Sequence, residues 1–574
     1  MCSMSEYMSR YRAWLTSDKI DDRTGAELEA IADDENTIRE RFASYLEFGT
    51  AGLRGRMAAG TNAMNVYTVM HATQGFADYI NAQAQSGTVA IAFDNRHNSH
   101  YFAHSAASVL AANGIRVFIF DGIRPTPELS FAIRRLGCTA GINITASHNP
   151  RTDNGYKAYW SDGAQLSTDQ AAAVSAYIAA RDIFQDVNSA DYDEALKSGL
   201  VSVIGNEIDE AFIDKVMEQR VNPGIFDDME DDFRIVYTPL HGAGRCIVPQ
   251  VLRRCGLRGL FPVEKQMTAD GSFPNLDRPN PEYPEVFKEG IRLADNIGSD
   301  LIIANDPDCD RTGAMSRCSG GFNVITGNQM GALLLDYIIT AYKKRDCLPQ
   351  NPYAIKTIVT TEIITKICRL NGVKLYDVLT GFKYIGEIIT RREEERNGTF
   401  LFGFEESYGY MKGTYARDKD GVVTSMLICE MAAYYRKKNM TLTDALKNLY
   451  DRYGYYAECT DESYFRGPDG KECMASLMTS LRHNPPTEIG GMKVAKIRDY
   501  LSGQITDPTS GEIWPTGLPE SNVLYFELKG DNAVIIRPSG TEPKIKLYYL
   551  MSDSDYEGAA SEIERCREAV ESWF

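Results

Sequence analysis

A serine and a histidine stand side by side in the segment NITASHNPRTDNGYK, residues 143–157. In an extended chain, successive side chains point to opposite faces, so Ser147 and His148 could not form a catalytic dyad there. Ser147 is then a nucleophile activated by other groups, a helix cap or an ordinary loop residue. The segment leaves these interpretations open, and a reactive Ser147 would need partners from elsewhere in the chain.

Three aspartates follow an apolar stretch in the sequence LIIANDPDCDRTG. Asp306, Asp308 and Asp310 are two residues apart, so an extended loop would point all three carboxylates the same way. Three oxygen ligands suit a hard divalent cation, Mg²⁺, with water or a phosphate oxygen completing the octahedron. An EF-hand loop is excluded, because its sixth position would be Arg311 instead of glycine and its twelfth Arg317 instead of glutamate. The alternative is a solvated acidic turn.

A third segment, AVIIRPSGTEPKIKLYY, places a strand before a turn that is rich in hydrogen-bonding groups. Arg537 precedes this turn, and Lys544 follows it. The turn itself contains Ser539, Gly540 and Thr541. A guanidinium, two hydroxyls and the backbone N–H groups of a turn can together bind a phosphate. The segment lacks the spacing of a Walker A loop, and a plain hairpin with a serine–glycine turn explains the same residues.

Three further segments carry weaker signals. In FLFGFEESYGY, Glu405, Glu406 and Ser407 could accept and share hydrogen bonds with vicinal sugar hydroxyls, although acidic loop ends are common. The glycine-rich segment FGTAGLRGRMAAGTN could bring Arg54 close to a ligand, or could simply connect two elements. TGFKYIGEI similarly puts Lys383 near a turn.

The composition is that of a folded globular protein with an acidic net charge. The 574 residues are 43% hydrophobic and 24% charged, and the chain is long enough for several hydrophobic cores. The net charge of −18 argues against a broad nucleic-acid surface, although cations gathered in one cleft could still bind an anionic substrate. No run approaches the roughly 18 apolar residues of a membrane span, and the N-terminus lacks the pattern of a secretory signal. These features predict a cytoplasmic protein.

Short β-branched runs alternate with helical stretches along most of the chain, which predicts an α/β fold with largely parallel or mixed sheets. Residues 1–47 have helical spacing of apolar positions and predict a packing arm. The last part predicts a hairpin about KGDN and a terminal helix, which indicates a smaller α+β domain. The expected domains are three α/β domains and this final one: 1–205, 206–325, 326–455 and 456–574.

Together, the segments resemble a known family in their order and spacing. TASHNP, the D-x-D-x-D-R loop, the glutamate–serine loop and RPSGTEPKIK occur in this order in the α-D-phosphohexomutases. The resemblance spans residues 48–550. It is strongest to the branch that opens with FGTAGLRG, which includes bacterial phosphoglucomutases and phosphopentomutase-like relatives. It implies four domains around a central cleft, with closure of the last domain excluding water from the reaction.

The resemblance implies that Ser147 is a phosphate carrier, phosphorylated in the resting enzyme, and neither a dyad partner nor a cap. It further implies that Asp306, Asp308 and Asp310 bind Mg²⁺, which coordinates an oxygen of the phosphoserine, so that Ser147 belongs to the metal site. Arg311 would help to balance the charge. A phosphoserine carries about −1.5 to −2 charges, so a nearby cation would stabilise it.

The same resemblance implies roles for the other candidate residues. Lys157 and Arg54 would assist proton transfer or charge balance, and neither is assigned as the general base. The remaining family positions would bind the substrate. Glu405 and Ser407 would bind the sugar, and Arg537, Ser539, Gly540 and Thr541 would bind the phosphate that is not transferred. Arg311, His148 and Lys383 are expected to contribute further substrate contacts.

The expected reaction interconverts glucose 1-phosphate and glucose 6-phosphate through glucose 1,6-bisphosphate, which also primes the enzyme. Some relatives have a histidine shortly after the serine that corresponds to Ser407, whereas this chain has Tyr408, Gly409 and Tyr410 there. Ribose 1-phosphate and mannose 1-phosphate are therefore alternative substrates. A phosphosugar-binding protein without turnover would have lost Ser147 or one of the aspartates, and a metal-dependent phosphatase would not need a second phosphate loop. The expected partner is thus a small sugar phosphate, and the oligomeric state stays open.

Overall fold

The computed structural model describes residues 4–49, 52–229, 233–465, 469–539 and 544–574. Its backbone contacts divide the chain into two compact units. The first unit contains the chain up to Ile325, Gly386–Arg396 and Tyr408–Asn439. The second unit contains Thr326–Ile385, Asn397–Ser407 and Met440–Phe574. Among the helices of the described ranges, none combines the length and the apolar character that crossing a membrane requires.

The N-terminal arm is helical, as its sequence pattern predicts. It consists of α1 (Met4–Leu15), α2 (Asp22–Glu29) and α3 (Glu35–Phe42). Trp14 is buried, and its ring contacts Phe42 edge-on at a centroid distance of 5.7 Å. Tyr67 and Phe184 pack on the same indole, at 5.5 and 5.3 Å, so aromatic contacts join the arm to the rest of the first unit.

The first α/β segment forms a six-stranded mixed sheet in the order β1-β5-β4-β2-β3-β6. Its elements are β1 (Leu53–Arg56), α4 (Val66–Gln83), β2 (Thr88–Phe93), α5 (Ser99–Ala112), β3 (Arg116–Phe120), α6 (Thr126–Leu136), β4 (Ala140–Ile144), β5 (Asp153–Trp160), α7 (Thr168–Ala179), α8 (Tyr192–Ser198) and β6 (Val201–Ile204). β2 and β4 are parallel neighbours, and Phe93 pairs with Ile144 at their ends. The loops that follow these two strands therefore emerge side by side at one edge of the sheet.

The second α/β segment forms a five-stranded mixed sheet in the order β11-β10-β9-β7-β8. Its elements are α9 (Asn206–Met217), β7 (Ile235–Thr238), α10 (Gly244–Arg254), β8 (Leu260–Pro262), α11 (Lys288–Ile297), β9 (Leu301–Asn305), β10 (Thr312–Cys318) and β11 (Gly321–Ile325), with 3-10 turns at Glu264–Gln266 and Pro284–Phe287. All five residues of β9 are buried, and Thr312 of β10 pairs antiparallel with Asn305. Residues 306–311 thus form a tight connection between two neighbouring strands.

The third segment is again built of alternating strands and helices. Its elements are α12 (Gly327–Lys344), β12 (Pro352–Thr357), α13 (Ile363–Asn371), β13 (Lys374–Val378), α14 (Phe382–Glu394), β14 (Thr399–Glu405), β15 (Gly409–Met411), α15 (Gly421–Arg436) and α16 (Leu442–Tyr453). In the second unit, β12 pairs in parallel with both β13 and β14. α15 belongs to the first unit, where Asn305 Nδ2 lies 3.2 Å from Ser425 Oγ.

The last segment is a largely antiparallel sheet covered by two helices. Its elements are β16 (Tyr455–Tyr464), α17 (Gly470–His483), β17 (Glu488–Ile489), β18 (Met492–Asp499), β19 (Gln504–Thr506), β20 (Ile513–Pro515), β21 (Leu524–Leu528), β22 (Asn532–Pro538), β23 (Lys544–Asp553) and α18 (Tyr556–Glu571). The strands lie in the order β16-β23-β22-β21-β18-β19-β20, and β17 pairs with β18. β21 and β22 form the hairpin predicted about KGDN. The predicted fold class, three α/β domains followed by a smaller α+β domain, is confirmed, whereas the domain boundaries at 205, 325 and 455 stay predictions.

A buried carboxyl group in the first unit makes the stability of the fold depend on pH. Glu430, on α15, is fully buried, and its Oε2 accepts a hydrogen bond from the Val221 N–H at 2.9 Å. No described residue donates a hydrogen bond to its Oε1. Burial raises the pKa of Glu430 to about 7, although Lys412 and Arg220 act in the opposite direction. The folded state therefore holds this proton more tightly than the unfolded chain does.

Replacing Glu430 by glutamine is expected to flatten the pH dependence of unfolding. The contribution of Glu430 is fully present below its usual pKa of 4.5 and is lost as the pH rises to about 7. That loss amounts to about 3 kcal/mol. Glutamine keeps an acceptor for the Val221 N–H but does not ionise. We expect Glu430→Gln to match the wild type near pH 4.5 and to unfold at a higher temperature at pH 8. Glu40→Gln, at an exposed position of α3, is the control, and parallel curves for Glu430→Gln and the wild type would contradict the prediction.

Candidate active site

Ser147 lies in the loop after β4, at the carboxyl edge of the first sheet. Its side chain is buried, and its φ of 51° falls in the left-handed region that serine rarely adopts. This conformation is disfavoured by roughly 1 kcal/mol, and a hydrogen bond from the Ser147 N–H to Thr145 Oγ1 at 2.8 Å offsets part of that. The Ser147 hydroxyl donates to Asp306 Oδ2 at 2.7 Å. The candidate nucleophile therefore contacts one of the candidate metal ligands directly.

The side chains of Ser147 and His148 meet, contrary to the expectation from the sequence. Ser147 Oγ lies 3.1 Å from His148 Nδ1, within hydrogen-bonding distance. The expectation assumed an extended chain, whereas the left-handed backbone of Ser147 turns the neighbouring side chains toward each other. Burial, together with the charges of Arg311 and Arg54, holds the pKa of His148 well below its usual value. A neutral imidazole thus lies beside the Ser147 hydroxyl.

The serine loop is held by a buried arginine that the sequence analysis missed. The Arg96 guanidinium donates hydrogen bonds of 2.6 to 3.1 Å to four backbone carbonyl groups of the loop, those of Ser147, Asn149, Pro150 and Asp153. Asp94 helps to fix this arginine, because Asp94 Oδ1 accepts a hydrogen bond from the backbone N–H of Arg96 at 3.0 Å. Asp94 is held in turn by Thr145, whose hydroxyl donates to Asp94 Oδ2 at 2.7 Å. The signal in the sequence is FDNRHNS, which places charges directly after a buried strand. These contacts stabilise the strained backbone at Ser147.

The three aspartates converge, as predicted, but through a turn instead of an extended loop. One carboxylate oxygen from each of Asp306, Asp308 and Asp310 lies within 4.8 Å of the others, and all three residues are buried. Cys309, between the last two, has a φ of 53° and reverses the chain direction. Asp306 Oδ1 accepts from the backbone N–H groups of Asp310 and Arg311, at 3.1 and 3.0 Å. Backbone hydrogen bonds therefore fix the turn that brings the carboxylates together.

Two lysines flank this carboxylate cluster. Lys157 Nζ donates to Asp308 Oδ2 at 2.7 Å and to Asp310 Oδ2 at 3.1 Å. Lys419 Nζ lies 3.1 Å from Asp310 Oδ2 and 2.9 Å from Asp418 Oδ1. The sequence ARDKDG, which contains Lys419, gave no specific signal for this position. The lysines offset part of the negative charge of the buried carboxylates.

The electrostatic balance differs from one aspartate to the next. Burial and the neighbouring Asp310 and Asp308 hold the pKa of Asp306 well above its usual value. Burial would also raise the pKa of Asp310, but Lys157 and Lys419 lower it instead. Asp308 and Asp310 in turn raise the pKa of Lys157 against the effect of burial. Lys157 donates to two of the buried carboxylates, which is consistent with its expected role in charge balance, and its role in proton transfer stays a prediction.

The cluster fits a divalent cation. Asp308 Oδ1 and Asp310 Oδ1 are buried, and no described residue donates a hydrogen bond to either of them. Buried carboxylate oxygens without donors are unfavourable unless a cation satisfies them. A hard cation such as Mg²⁺ prefers an all-oxygen set of this kind. Among the described residues, this is the one group of three or more acidic, histidine or cysteine side chains close enough to hold a metal.

Two predicted arginines come from separate parts of the first unit, Arg54 from β1 and Arg311 from the connection between β9 and β10. Arg311 forms an ion pair with Glu282, and its Nε lies 3.9 Å from Asp310 Oδ1. Arg54 lies on β1, and its Nη1 donates to Asn149 Oδ1 at 3.3 Å. The structure thus brings all the other predicted residues of the first unit together around Ser147: Arg54, His148, Lys157, Asp306, Asp308, Asp310 and Arg311.

The second unit contains the other predicted residues. Glu405, at the end of β14, accepts a hydrogen bond from the Gly381 N–H at 2.9 Å, and Lys383 lies in the first turn of α14 with Nζ 4.8 Å from the Tyr384 ring. Burial and Glu405 raise the pKa of Glu406 to about 7, while Arg537 acts to lower it. Glu406, after β14, and Arg537, on β22, are therefore close enough within this unit to interact electrostatically.

The segment from Arg537 to Lys544, which is predicted to bind a phosphate, is described only in part. Arg537 lies near the end of β22 and is half-buried, as is Ser539. The Ser539 N–H donates to the Lys544 carbonyl at 2.8 Å across the hairpin. Ser407 follows β14 and is also half-buried. Gly540 and Thr541 lie outside the described residues, so their assignment stays a prediction.

Comparison with known proteins matches this arrangement to a single family. Family models described as phosphoglucomutase/phosphomannomutase match four successive segments: alpha/beta/alpha domain I over residues 45–183, domain II over 210–320, domain III over 326–453 and the C-terminal domain over 493–565. The chain belongs to this family, the α-D-phosphohexomutases, and is therefore an enzyme of the intramolecular phosphotransferase class. The resemblance noted in the sequence is confirmed.

Individual relatives agree with the family assignment. A Staphylococcus aureus (strain MRSA252) protein named phosphoglucomutase is 38% identical over 527 residues, which cover 92% of this chain and 93% of that protein. The fold resembles the open form of Paramecium pp63/parafusin, with a TM-score of 0.68, 18% identity and coverage of 92% and 95% of the two chains. It also resembles a putative phosphomannomutase from Thermus thermophilus, with a TM-score of 0.67, 20% identity and coverage of 92% and 99%.

Proposed function

We propose that this phosphohexomutase is a phosphoglucomutase, which interconverts glucose 1-phosphate and glucose 6-phosphate. The observation that best supports phosphoryl transfer is the position of the buried Ser147 hydroxyl, 2.7 Å from a carboxylate of the candidate metal site. Glucose is the proposed sugar because the 38% identical relative, matched over nearly its whole length, is named phosphoglucomutase. The proposed cofactors are Mg²⁺ and, as primer and intermediate, glucose 1,6-bisphosphate.

In the proposed resting state, Ser147 Oγ carries a phosphoryl group. In the first step, the bond between phosphorus and Ser147 Oγ breaks while a bond forms from phosphorus to the free hydroxyl oxygen of the sugar phosphate. That hydroxyl releases its proton, and Ser147 Oγ gains one. The step therefore needs a group that takes up the first proton and supplies the second. The imidazole of His148 is neutral and its Nδ1 lies 3.1 Å from Ser147 Oγ, so His148 can serve as this group, whereas Asp306 would hold the metal. The second step reverses these bond changes with the other phosphate of the bisphosphate.

Charge balance is the second requirement of the proposed reaction. Asp306, Asp308 and Asp310 would hold the metal, together with an oxygen of the phosphoserine. A bound Mg²⁺ supplies positive charge that stabilises the oxygens of the transferring phosphoryl group. The buried ammonium group of Lys157 would balance part of the carboxylate charge, because it donates hydrogen bonds to Asp308 Oδ2 and Asp310 Oδ2.

Binding of the sugar and of the second phosphate is assigned to the second unit. Glu405 and Ser407 would bind the sugar hydroxyls, and a carboxylate beside a hydroxyl suits a vicinal diol in either orientation. Arg537 and Ser539 would hold the phosphate that is not transferred, since a guanidinium can bind it in a bidentate manner. Lys383 would add a further positive charge.

Parallel assays of three substrates test the proposed function. The full chain is incubated with Mg²⁺, a trace of glucose 1,6-bisphosphate and glucose 1-phosphate, mannose 1-phosphate or ribose 1-phosphate, and kcat/KM is compared. We expect glucose 1-phosphate to be converted at least about tenfold more efficiently than either alternative, which corresponds to about 1.4 kcal/mol of transition-state discrimination. A preference for ribose or mannose would reassign the substrate. Release of inorganic phosphate without isomerisation would instead indicate a phosphatase.

A further inference from the structure

Thr126, which no sequence motif singled out, makes two hydrogen bonds to the metal-site residue Asp308. It is the first residue of α6 and is fully buried. Its backbone N–H donates to the Asp308 carbonyl at 2.8 Å, and its hydroxyl donates to Asp308 Oδ2 at 2.7 Å. The first bond fixes the backbone of Asp308, and the second fixes the direction of its carboxylate.

A neighbouring asparagine sets the direction of the Thr126 hydroxyl. Asn143 lies on β4, is fully buried and donates from Nδ2 to Thr126 Oγ1 at 2.7 Å. An amide NH₂ group can only donate, so the Thr126 oxygen is the acceptor and its proton points to Asp308. The relay from Asn143 through Thr126 to Asp308 therefore has a single polarity, and it begins on the strand that precedes the Ser147 loop.

The relay leaves one oxygen of Asp308 available. Oδ2 accepts from the Thr126 hydroxyl and from Lys157 Nζ, both at 2.7 Å. Oδ1 is buried, and no described residue donates a hydrogen bond to it. The two oxygens of this carboxylate thus have separate functions, because Oδ2 accepts hydrogen bonds from protein side chains and Oδ1 can bind a cation.

We propose that Thr126 is a positioning residue that orients Asp308 so that its Oδ1 binds the divalent cation. This inference rests on the proposed metal-binding role of the aspartate cluster. Without the hydroxyl, Lys157 alone would hold Oδ2, and the carboxylate could rotate about its Cβ–Cγ bond and present either oxygen. Outer residues that orient metal ligands typically change metal affinity by about 10- to 100-fold.

The test compares Mg²⁺ and Mn²⁺ binding by calorimetry for the wild type, Thr126→Val and Thr126→Ser. Valine has a similar size and keeps the backbone N–H, so it removes only the hydroxyl. We expect Thr126→Val to bind either cation about 10- to 100-fold more weakly and Thr126→Ser to remain within about threefold of the wild type. The unfolding temperature without metal shows that each variant is folded, and its rise on adding metal is a second measure of affinity. A merely structural role would lower the metal-free unfolding temperature and leave the affinity unchanged.

Thr73→Val is the matched control, because Thr73 is fully buried and its hydroxyl donates to the Val69 carbonyl within α4. It should leave the metal affinity unchanged. If the wild type binds metal and Thr126→Val binds it equally tightly, the positioning role is wrong while the metal site stands. If the wild type binds neither cation, the proposed metal role fails and the inference fails with it.

Discussion

Replacing Ser147 by alanine is expected to abolish mutase turnover, with a loss of about 10⁴-fold or more. The reason is that the proposed reaction breaks a covalent bond at Ser147 Oγ in one half and forms one there in the other. Removing a covalent nucleophile eliminates the pathway instead of weakening it. The measurement is the rate of glucose 6-phosphate formation, with glucose 1,6-bisphosphate present in excess so that priming does not limit the rate.

A second readout for Ser147 does not depend on turnover. The intact mass of the wild type incubated with glucose 1,6-bisphosphate should show one added phosphoryl group, which peptide mapping should assign to Ser147. Ser147→Ala should show none. Alanine also removes the hydrogen bonds to Asp306 and His148, so we expect a modest change in the unfolding temperature. Ser130→Ala, at another buried serine of the first unit, is the control and should retain both the phosphoryl group and most of the activity. Full turnover by Ser147→Ala would eliminate the phosphoserine mechanism.

Loss of the metal is the second change for which we expect a large effect. Chelation should lower turnover by about 10³-fold, because the positive charge on the phosphoryl oxygens contributes several kcal/mol to transition-state stabilisation. Added Mg²⁺ should restore the rate, and activity should follow metal occupancy. A rate that chelator leaves unchanged in protein shown to be free of metal would contradict the proposal.

Replacing Asp310 by asparagine is expected to weaken both the metal site and the fold. Asp310 accepts from Lys157 and lies beside Lys419, so the substitution removes a proposed metal ligand and also leaves two buried ammonium groups with less compensation. We expect weaker Mg²⁺ binding, lower turnover and, without metal, a lower free energy of unfolding, by about 3 kcal/mol for a broken buried ion pair. Asp18→Asn, at an exposed position of the arm, should change none of these. Unaltered metal affinity in Asp310→Asn would remove Asp310 from the proposed ligand set.

Local sequence determined the elements and the chemical groups of this protein. β9 is a run of four apolar residues that ends in Asn305, and α1 to α3 repeat apolar positions at helical spacing, so both follow from patterns a few residues long. The spacing of Asp306, Asp308 and Asp310 indicated a metal site in the same way. In each case the information lies within one segment, so side-chain periodicity and residue type are enough to predict the strand, the helices or the metal site.

Tertiary structure decided how those groups are oriented and which residues support them. The left-handed backbone at Ser147 reversed the prediction that the side chains of Ser147 and His148 point apart, and bonds from distant residues such as Arg96 maintain it. The left-handed backbone at Cys309 lets a turn, instead of an extended loop, bring the aspartates together. Thr126 and Lys419 reach the aspartates from positions more than 100 residues away along the chain. A conformation that is unfavourable locally cannot be predicted from local preference, because contacts between distant segments provide the free energy that stabilises it. The sequence alone thus determined which groups carry the proposed chemistry, and the packing of the first two sheets decided their geometry.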